Sequence, residues 1–516
     1  MTQLLHTPTQ AAQWLKQQVR GALRTDSRQL VPGDAFIAWP GARTDARAHV
    51  RDALAGGTAA CLVEHAGVDA FGFDDPRVAS MAGLQAASAL VADSYYDHPS
   101  GTLDVLAVTG TNGKTSSVWW LAQALSGPSL SHPQRCAMVG TLGVGFLPGE
   151  GATDAGQALS HTLLPTGLTT PDAVLLQASL RSFADAGARA CALEASSIGI
   201  EDHRLDGVRI HTAIFTNLTQ DHLDYHGSME NYWRAKQRLF QWPGLRAAVV
   251  NIDDARGREL ASTLAGGPVD LWTVSREAPA RLRASALQDT ATGMRFTVTE
   301  GSQQHLLETA LIGHYNVSNL LGVLATLRSL GHPLEQAVAA CRGLLPAPGR
   351  LECLQLAGRP LAVVDYAHTP DALEKALAAL RPLASQRGGA LWCVFGCGGD
   401  RDPAKRPLMG AAAAQGADRV VLTSDNPRGE NPRAILRQIA PGLAGHAQLL
   451  QLEDRSQAIA HALRSARGND VVLVAGKGHE TYQEIAGVRL PFSDLAEVRK
   501  ALAAWQADVP AQGVAA

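Results

Sequence analysis

The chain has 516 residues, more than one ordinary hydrophobic core can organise, so about two to four domains are expected. Hydrophobic residues at 46% and charged residues at 18% exclude a disordered chain. A formal net charge of −3 gives no overall attraction for nucleic acid or an anionic membrane, so a polyanionic partner has to be held by local clusters.

The first residues, MTQLLHTPTQAAQWLKQQ, lack a basic region followed by an apolar core, and no signal peptide is expected. No run approaches the roughly 18 apolar residues of a membrane span. The seven cysteines are scattered from Cys61 to Cys397 without paired C-x-x-C spacing, which argues against a disulfide framework or structural zinc. Cys393 and Cys397 read as small core residues. The expectation is a cytoplasmic monomer that binds neither nucleic acid nor membrane.

Residues 1–100 read as a small α/β domain, with strands over Val31–Ala38 and Ala59–Val63 and a helix ending near Gly56. Asp26, Ser27 and Arg43 are polar residues near turns, as any surface would show. Tyr95–Gly101 holds the boundary signals.

The nucleotide domain is expected over 101–343. An apolar β-type run, Val105–Val108, stops at Gly110, and Gly113, Lys114 and Thr115 then open a helix-like segment, Ser116–Leu125. Strand, glycine loop and helix in that order make an anion site from freed backbone N–H groups and the positive helix end. Gly110, Thr111, Asn112, Gly113, Lys114, Thr115 and Ser116 form it. Lys114 would reach the outer phosphates of a nucleotide, and the Thr115 hydroxyl would hold Mg²⁺. The pattern is a shortened phosphate loop, because Val108 stands where its first glycine belongs.

A loop at Pro165–Pro171 precedes a helix over Asp172–Ala186. The strand Ala190–Leu193 ends at Glu194, and the strand Val208–Phe215 ends at Thr216 and Asn217. Glu194 would face the phosphate loop if both strands share a sheet, and a carboxylate there needs a cation such as Mg²⁺. His222, in D-H-L-D, and Lys236, on a helix, read alone as a solvated turn and a solvated lysine. Residues 246–310 contain β-rich, threonine-rich runs that the pattern does not place. Gly313–Asn319 opens an amphipathic helix reaching Leu330, and Leu344–Arg350 reads as a linker.

A third domain over 344–516 repeats the alternation. Its strands are Ala362–Val364, Ala390–Phe395, Arg419–Leu422 and Asp470–Val474, each followed by a polar cluster. The fold class is therefore α/β: a central phosphate-loop domain with a doubly wound, mainly parallel sheet, a C-terminal Rossmann-like domain and a small N-terminal α/β domain.

Nine motifs occur in a fixed order: G-T-N-G-K-T, E-A-S-S, T-N-L-T-Q-D-H-L-D-Y-H-G, A-K, G-x-x-N-V-S-N, P-G-R-L-E, V-D-Y-A-H-T-P-D, D-N-P-R and G-K-G-H-E. Over nearly its whole length the chain resembles the Mur ligases of bacterial peptidoglycan synthesis, most closely the members that add the third residue of the peptide. The resemblance implies an ATP-dependent amide ligase with three domains: UDP-substrate binding over 1–100, ATP binding over 101–343, and amino-acid binding over 344–516. Its substrates would be UDP-N-acetylmuramoyl-L-alanyl-D-glutamate, ATP and an amino acid.

By the same resemblance, Thr115 and Glu194 would bind one Mg²⁺, and His222 with a carbamylated Lys236 would serve a second. Lys114, His222 and Lys236 would be the catalytic groups. Asn316 and Asn319 would lie near adenine, with Arg350 and Asp365 reaching ribose and phosphates after domain closure. Ser27 and Arg43 resemble the uridine pocket, and Thr169, Thr170, Ser196 and Arg204 the groups that hold the muramoyl dipeptide. Relatives often carry Gln where this chain has Asp202, beside His203 and Arg204; an acid next to an anionic substrate is awkward there.

Arg428, in the D-N-P-R motif of Asp425, Asn426, Pro427 and Arg428, resembles the family's diaminopimelate signature. Its planar fork suits an extra carboxylate. Arg401 would assist it, and Gly476 and Glu480 would hold the distal amine of meso-2,6-diaminopimelate. Folylpolyglutamate synthetase shares this ATPase chemistry but lacks a uridine-nucleotide domain, against which residues 1–100 count. A nucleotide switch would leave D-N-P-R and G-K-G-H-E unexplained.

Overall fold

A computed structural model describes residues 2–41, 44–147, 162–290 and 293–506. They fall into two compact units, Met1–Val274 with Gly322–Ala340, and Ser275–Leu321 with Cys341–Ala516.

The first unit contains two sheets. The smaller is wholly parallel, in the order Gln3–Leu5, Val78–Met81, Ala60–Glu64, Ala35–Ala38, Leu23–Arg24. Its short apolar strands are buried on both faces, as a parallel sheet covered by helices requires. The larger runs Asp270–Ser275, Ala247–Asn251, Ile210–Phe215, Asp104–Thr109, Ala190–Glu194, Cys136–Gly140, with Gly143–Phe146 and Leu163–Leu164 added antiparallel at the edge. Asp104–Thr109 lies between the two strands that follow in the chain after a detour to Cys136–Gly140. Its register, Val108 opposite both Glu194 and Ile214, brings three strand ends to one carboxyl edge. Ligands bind at that edge in such sheets.

In the second unit, Leu282–Thr290, Gly293–Glu300 and Gln303–Thr309 form an antiparallel meander. These are the β-rich runs that the pattern left unplaced; the meander is half-exposed and bulged between Ser285 and Gln288, which breaks a clean alternation. The main sheet of this unit runs Glu352–Leu354, Leu361–Asp365, Val471–Ala475, Leu391–Phe395, Arg419–Leu422, Leu449–Gln451, parallel except for its first strand. Apolar clusters cover both faces. Cys393 and Cys397 belong to one of them, as core residues.

The helix expected from Ser116 begins at Lys114, because Gly113 caps it with φ 89°, a left-handed conformation that favours glycine. Among the described residues no helix is long and apolar enough to cross a membrane.

One ion pair ties the second unit together. Arg455 and Asp494 are fully buried and joined by two hydrogen bonds of 2.7 Å. Arg455 also donates to the carbonyls of Ser424 and Ala475, the ends of two neighbouring polar clusters. Removing one partner of a buried pair leaves an uncompensated charge. Asp494→Ala should therefore destabilise this unit by about 3–5 kcal/mol in denaturant unfolding. A loss within experimental error would show that the pair contributes no net stability.

Candidate active site

The carboxyl edge of the larger sheet gathers the phosphate loop, Glu194 and Lys236. Gly110 has φ 142°, and a Cβ there would collide with the Thr216 hydroxyl, so this tight departure from the strand needs glycine. The loop is laced to the next strand end: Asn112 N–H donates to Asn217 Oδ1 at 3.0 Å, and Thr216 Oγ1 to the Asn112 carbonyl at 2.6 Å. Thr111 Oγ1 lies 3.2 Å from the Tyr232 hydroxyl. Ser116 is buried in the first turn of the helix.

Glu194 is 1% exposed. Its Oε2 accepts from Thr115 Oγ1 at 3.1 Å, and its Oε1 from the Thr141 N–H at 2.8 Å. A threonine hydroxyl and one carboxylate form a hard-oxygen pair that suits Mg²⁺, which takes few protein ligands and completes its shell with phosphate and water oxygens. Among the described residues no cluster of three His, Cys, Asp or Glu side chains forms an all-protein metal site. Thr141 escaped the sequence reading; it follows Gly140 at a strand end, a position that carried no motif.

Lys236 departs most from its bland reading. It is 1% exposed, donates to the Gly110 carbonyl at 2.9 Å and lies 4.3 Å from the Tyr232 ring centroid. Burial holds its amine well below the usual lysine range, and the Lys114 cation pushes the same way. Lys114 Nζ donates to the carbonyls of Gly110 and Thr111, both at 2.8 Å. His222 has φ 52° and opens the turn Leu223–His226. Burial keeps its imidazole below the usual range, opposed by Asp221 and aided by the two lysines.

Next to Glu194, Thr170 Oγ1 donates to its carbonyl at 2.7 Å and lies 2.9 Å from Ser196 Oγ. Thr169 Oγ1 meets Thr141 Oγ1 at 3.1 Å. Arg204 donates to the Thr170 carbonyl at 2.8 Å and to Asp202 at 2.6 Å, and Asp202 also accepts from the Tyr225 hydroxyl. Thr169, Thr170, Ser196 and Arg204 thus form one cluster, and Asp202 neutralises part of the arginine. Ser27 is half-buried in a short turn capped by Asp26, and Arg43 lies outside the described residues.

In the second unit, Asn319 Nδ2 donates to Asn316 Oδ1 at 3.1 Å, both side chains being buried. Asp365 accepts the N–H groups of Leu351 and Ala367, yet burial still raises it above the usual carboxylate range. The Arg350 guanidinium lies 4.6 Å over the Tyr366 ring, beside His479, whose imidazole burial pulls down to about 3.

Around D-N-P-R, Gln483 Nε2 donates to the Asp425 carbonyl at 2.6 Å. Arg428 has φ 52°, and its Nη1 donates to the Gly399 carbonyl at 2.7 Å. A Cβ on Gly398 would lie 2.8 Å from Arg428 Nη1 and 3.8 Å from Arg401 Cγ, so that glycine loop adjoins both arginines. Arg406, nearly fully buried, donates two bonds to Glu430 and a third to the Gly398 carbonyl at 3.2 Å. Asn426 Nδ2 reaches Glu480 at 2.8 Å, and Gly476 with φ 121° packs against Asp425. Arg406, Arg455 and Lys477 were not singled out from sequence, because none lies in a pattern that distinguishes a buried cation from a surface one.

The Mur ligase middle domain matches residues 108–327, and the glutamate ligase domain of Mur ligases matches residues 349–478. The chain is 57% identical, over 97% of its length and 98% of the relative's, to the UDP-N-acetylmuramoyl-L-alanyl-D-glutamate–2,6-diaminopimelate ligase of Acidovorax sp. (strain JS42). It is 48% identical, over 95% of each chain, to the ligase of that name from Ralstonia nicotianae. A solved structure of a ligase with that name superposes with TM-score 0.63 at 38% identity, over 94% of each chain.

The space for the Glu194 carboxylate depends on a glycine. A Cβ at Gly140 would come within 2.9 Å of Glu194 Cγ and Cδ. Gly140→Ala should therefore displace the carboxylate and weaken ADP binding by about tenfold in the presence of Mg²⁺, with a smaller change when the metal is chelated. Calorimetric titration reads both; equal losses with and without metal would disconnect Glu194 from the cation.

Proposed function

The chain belongs to the Mur ligase family, and we propose that it joins meso-2,6-diaminopimelate to the D-glutamyl γ-carboxylate of UDP-N-acetylmuramoyl-L-alanyl-D-glutamate. It is an ATP-dependent amide ligase of peptidoglycan synthesis, forming ADP and phosphate. The γ-carboxylate attacks the γ-phosphate of ATP, giving an acyl phosphate and ADP. The amine of the incoming amino acid then attacks that carbonyl, phosphate leaves, and the nitrogen sheds a proton.

The convergence of Lys114 and the buried Lys236 on the Gly110 carbonyl, beside Thr115 and Glu194, carries the assignment of chemistry. The positive charge of Lys114 stabilises the transferring phosphoryl, the usual dominant contribution in such reactions. Mg²⁺ would be held by Thr115 and Glu194, and a second ion by His222 and Lys236; bound metal shields the phosphate charge. A buried, neutral lysine amine adds to CO₂ and releases a proton, becoming a carbamate whose oxygens suit such an ion where an ammonium would repel it.

Thr169, Thr170, Ser196 and Arg204 take the dipeptide, and Ser27 with Arg43 the uridine end. Asn316, Asn319, Arg350 and Asp365 serve the nucleotide. The work divides as UDP-substrate over 1–100, ATP over 101–343 and amino acid over 344–516, in the cytoplasm. Coverage of 97% of the chain at 57% identity takes in most of residues 1–100, which favours this reading over a folate-directed ligase.

Arg428, with Arg401, selects the amino acid by pairing its extra carboxylate, while Gly476 and Glu480 receive the distal amine. Phosphate release should require both the UDP-muramoyl dipeptide and diaminopimelate, with L-lysine used very poorly. Arg428→Ala should raise the KM for diaminopimelate by about tenfold or more and leave that for ATP little changed. Efficient turnover of L-lysine by the wild-type protein, or unchanged diaminopimelate kinetics in the variant, would overturn the assignment.

Lys236→Ala should fold, by thermal unfolding and circular dichroism, yet lose nearly all ligase activity. Short carboxylic acids in solution should restore part of it by supplying the missing anion. Normal turnover would return Lys236 to a packing role.

A further inference from the structure

Lys477 lies in the G-K-G-H-E cluster that follows the strand Val471–Ala475, and its side chain is 0% exposed. A buried ammonium needs compensation. Its Nζ donates to Glu480 Oε2 at 2.7 Å and to Asn426 Oδ1 at 2.9 Å. Asn426 Oδ1 also accepts the Glu484 N–H at 3.0 Å. Two donors on that oxygen fix the amide orientation, so Nδ2 faces Glu480 and donates to the same Oε2 at 2.8 Å. Glu480 Oε2 thus takes two donors from the protein. Its Oε1 takes none among the described residues, although the side chain remains 17% exposed.

This asymmetry has a use. A carboxylate free to rotate offers either oxygen in many directions, whereas one held by two charge-assisted bonds presents the other oxygen in a single direction. Lys477 has no role in contacting substrate, since its ammonium is enclosed and two of its three protons are engaged within the protein.

We infer that Lys477 is a positioning residue for the amino-acid site: with Asn426 it holds Glu480 Oε2 and turns Oε1 toward the ammonium of the incoming amino acid. The inference rests on the assignment of Glu480 to that ammonium.

Steady-state ligase kinetics test it. Lys477→Met keeps the length of the side chain and removes its charge. It should raise the KM for diaminopimelate by ~10–100-fold, with little change in kcat or in the KM values for ATP and the UDP-substrate. Glu480→Gln should act in the same direction, and the double variant should be no worse than the poorer single one, because both remove the same interaction. An unchanged diaminopimelate KM in Lys477→Met, or additive losses in the double variant, would overturn the inference. Should thermal unfolding show that Lys477→Met does not fold, Asn426→Ser removes one donor from Oε2 and keeps the ion pair. It should give a smaller rise in the same KM, and no rise would be equally decisive. Glu480→Gln with unchanged diaminopimelate KM would instead sink the assignment of Glu480 itself; a raised value there beside an unaffected Lys477→Met would sink the positioning role alone.

Discussion

Two lysine side chains donate to one carbonyl oxygen, that of Gly110. Two ammonium groups so close, one of them sealed from water, repel each other strongly in a low-dielectric site. The repulsion falls on Lys236, because Lys114 keeps contact with solvent while Lys236, on the buried face of the helix that also carries Tyr232 and Trp233, is enclosed. Burial and the neighbouring cation both favour the uncharged form of the Lys236 amine. The packing of one helix against the loop thereby separates the two amines, one keeping contact with solvent and the other enclosed.

The parallel sheets supply the placement. In each unit, apolar strands buried on both faces end on one edge, and polar residues at or just beyond the strand ends are delivered there. Glu194 ends the strand Ala190–Glu194 in this way, and Asp425 follows shortly after Arg419–Leu422. A one-residue slip would turn the Glu194 carboxylate away from Thr115 and the Thr141 N–H and leave it buried without partners.

That regularity is why so much of the site was legible in the sequence. The phosphate loop, Glu194 and the D-N-P-R cluster stand at or just after strand ends that periodicity predicts, whereas Thr170 and Ser196 came only from the family resemblance. What periodicity misses is burial of a cation. Lys236 occupies the face of Met229–Gln237 that also bears Tyr232, one helical turn away, and that spacing was the available signal. Lys477 lies between two glycines and had no such signal. Arg406 and Arg455 stand in the first turns of Lys405–Gly416 and Arg455–Ser465, where no pattern marks a buried cation, yet both are nearly inaccessible. Thr141 contacts Glu194 through both its backbone N–H and its hydroxyl, but a lone threonine after a glycine carries no pattern that separates it from any other turn residue.

The Arg428 backbone has a further consequence. Its N–H bonds to the Glu484 carbonyl and its own carbonyl accepts from Ala486, so the residue is stitched on both sides to the hairpin Tyr482–Ile485 and Val488–Pro491 while holding a left-handed φ. The D-N-P-R segment is therefore not a portable four-residue tag. Transplanting it into another scaffold means carrying the hairpin and the glycine loop at Gly398 and Gly399 with it, as one cassette.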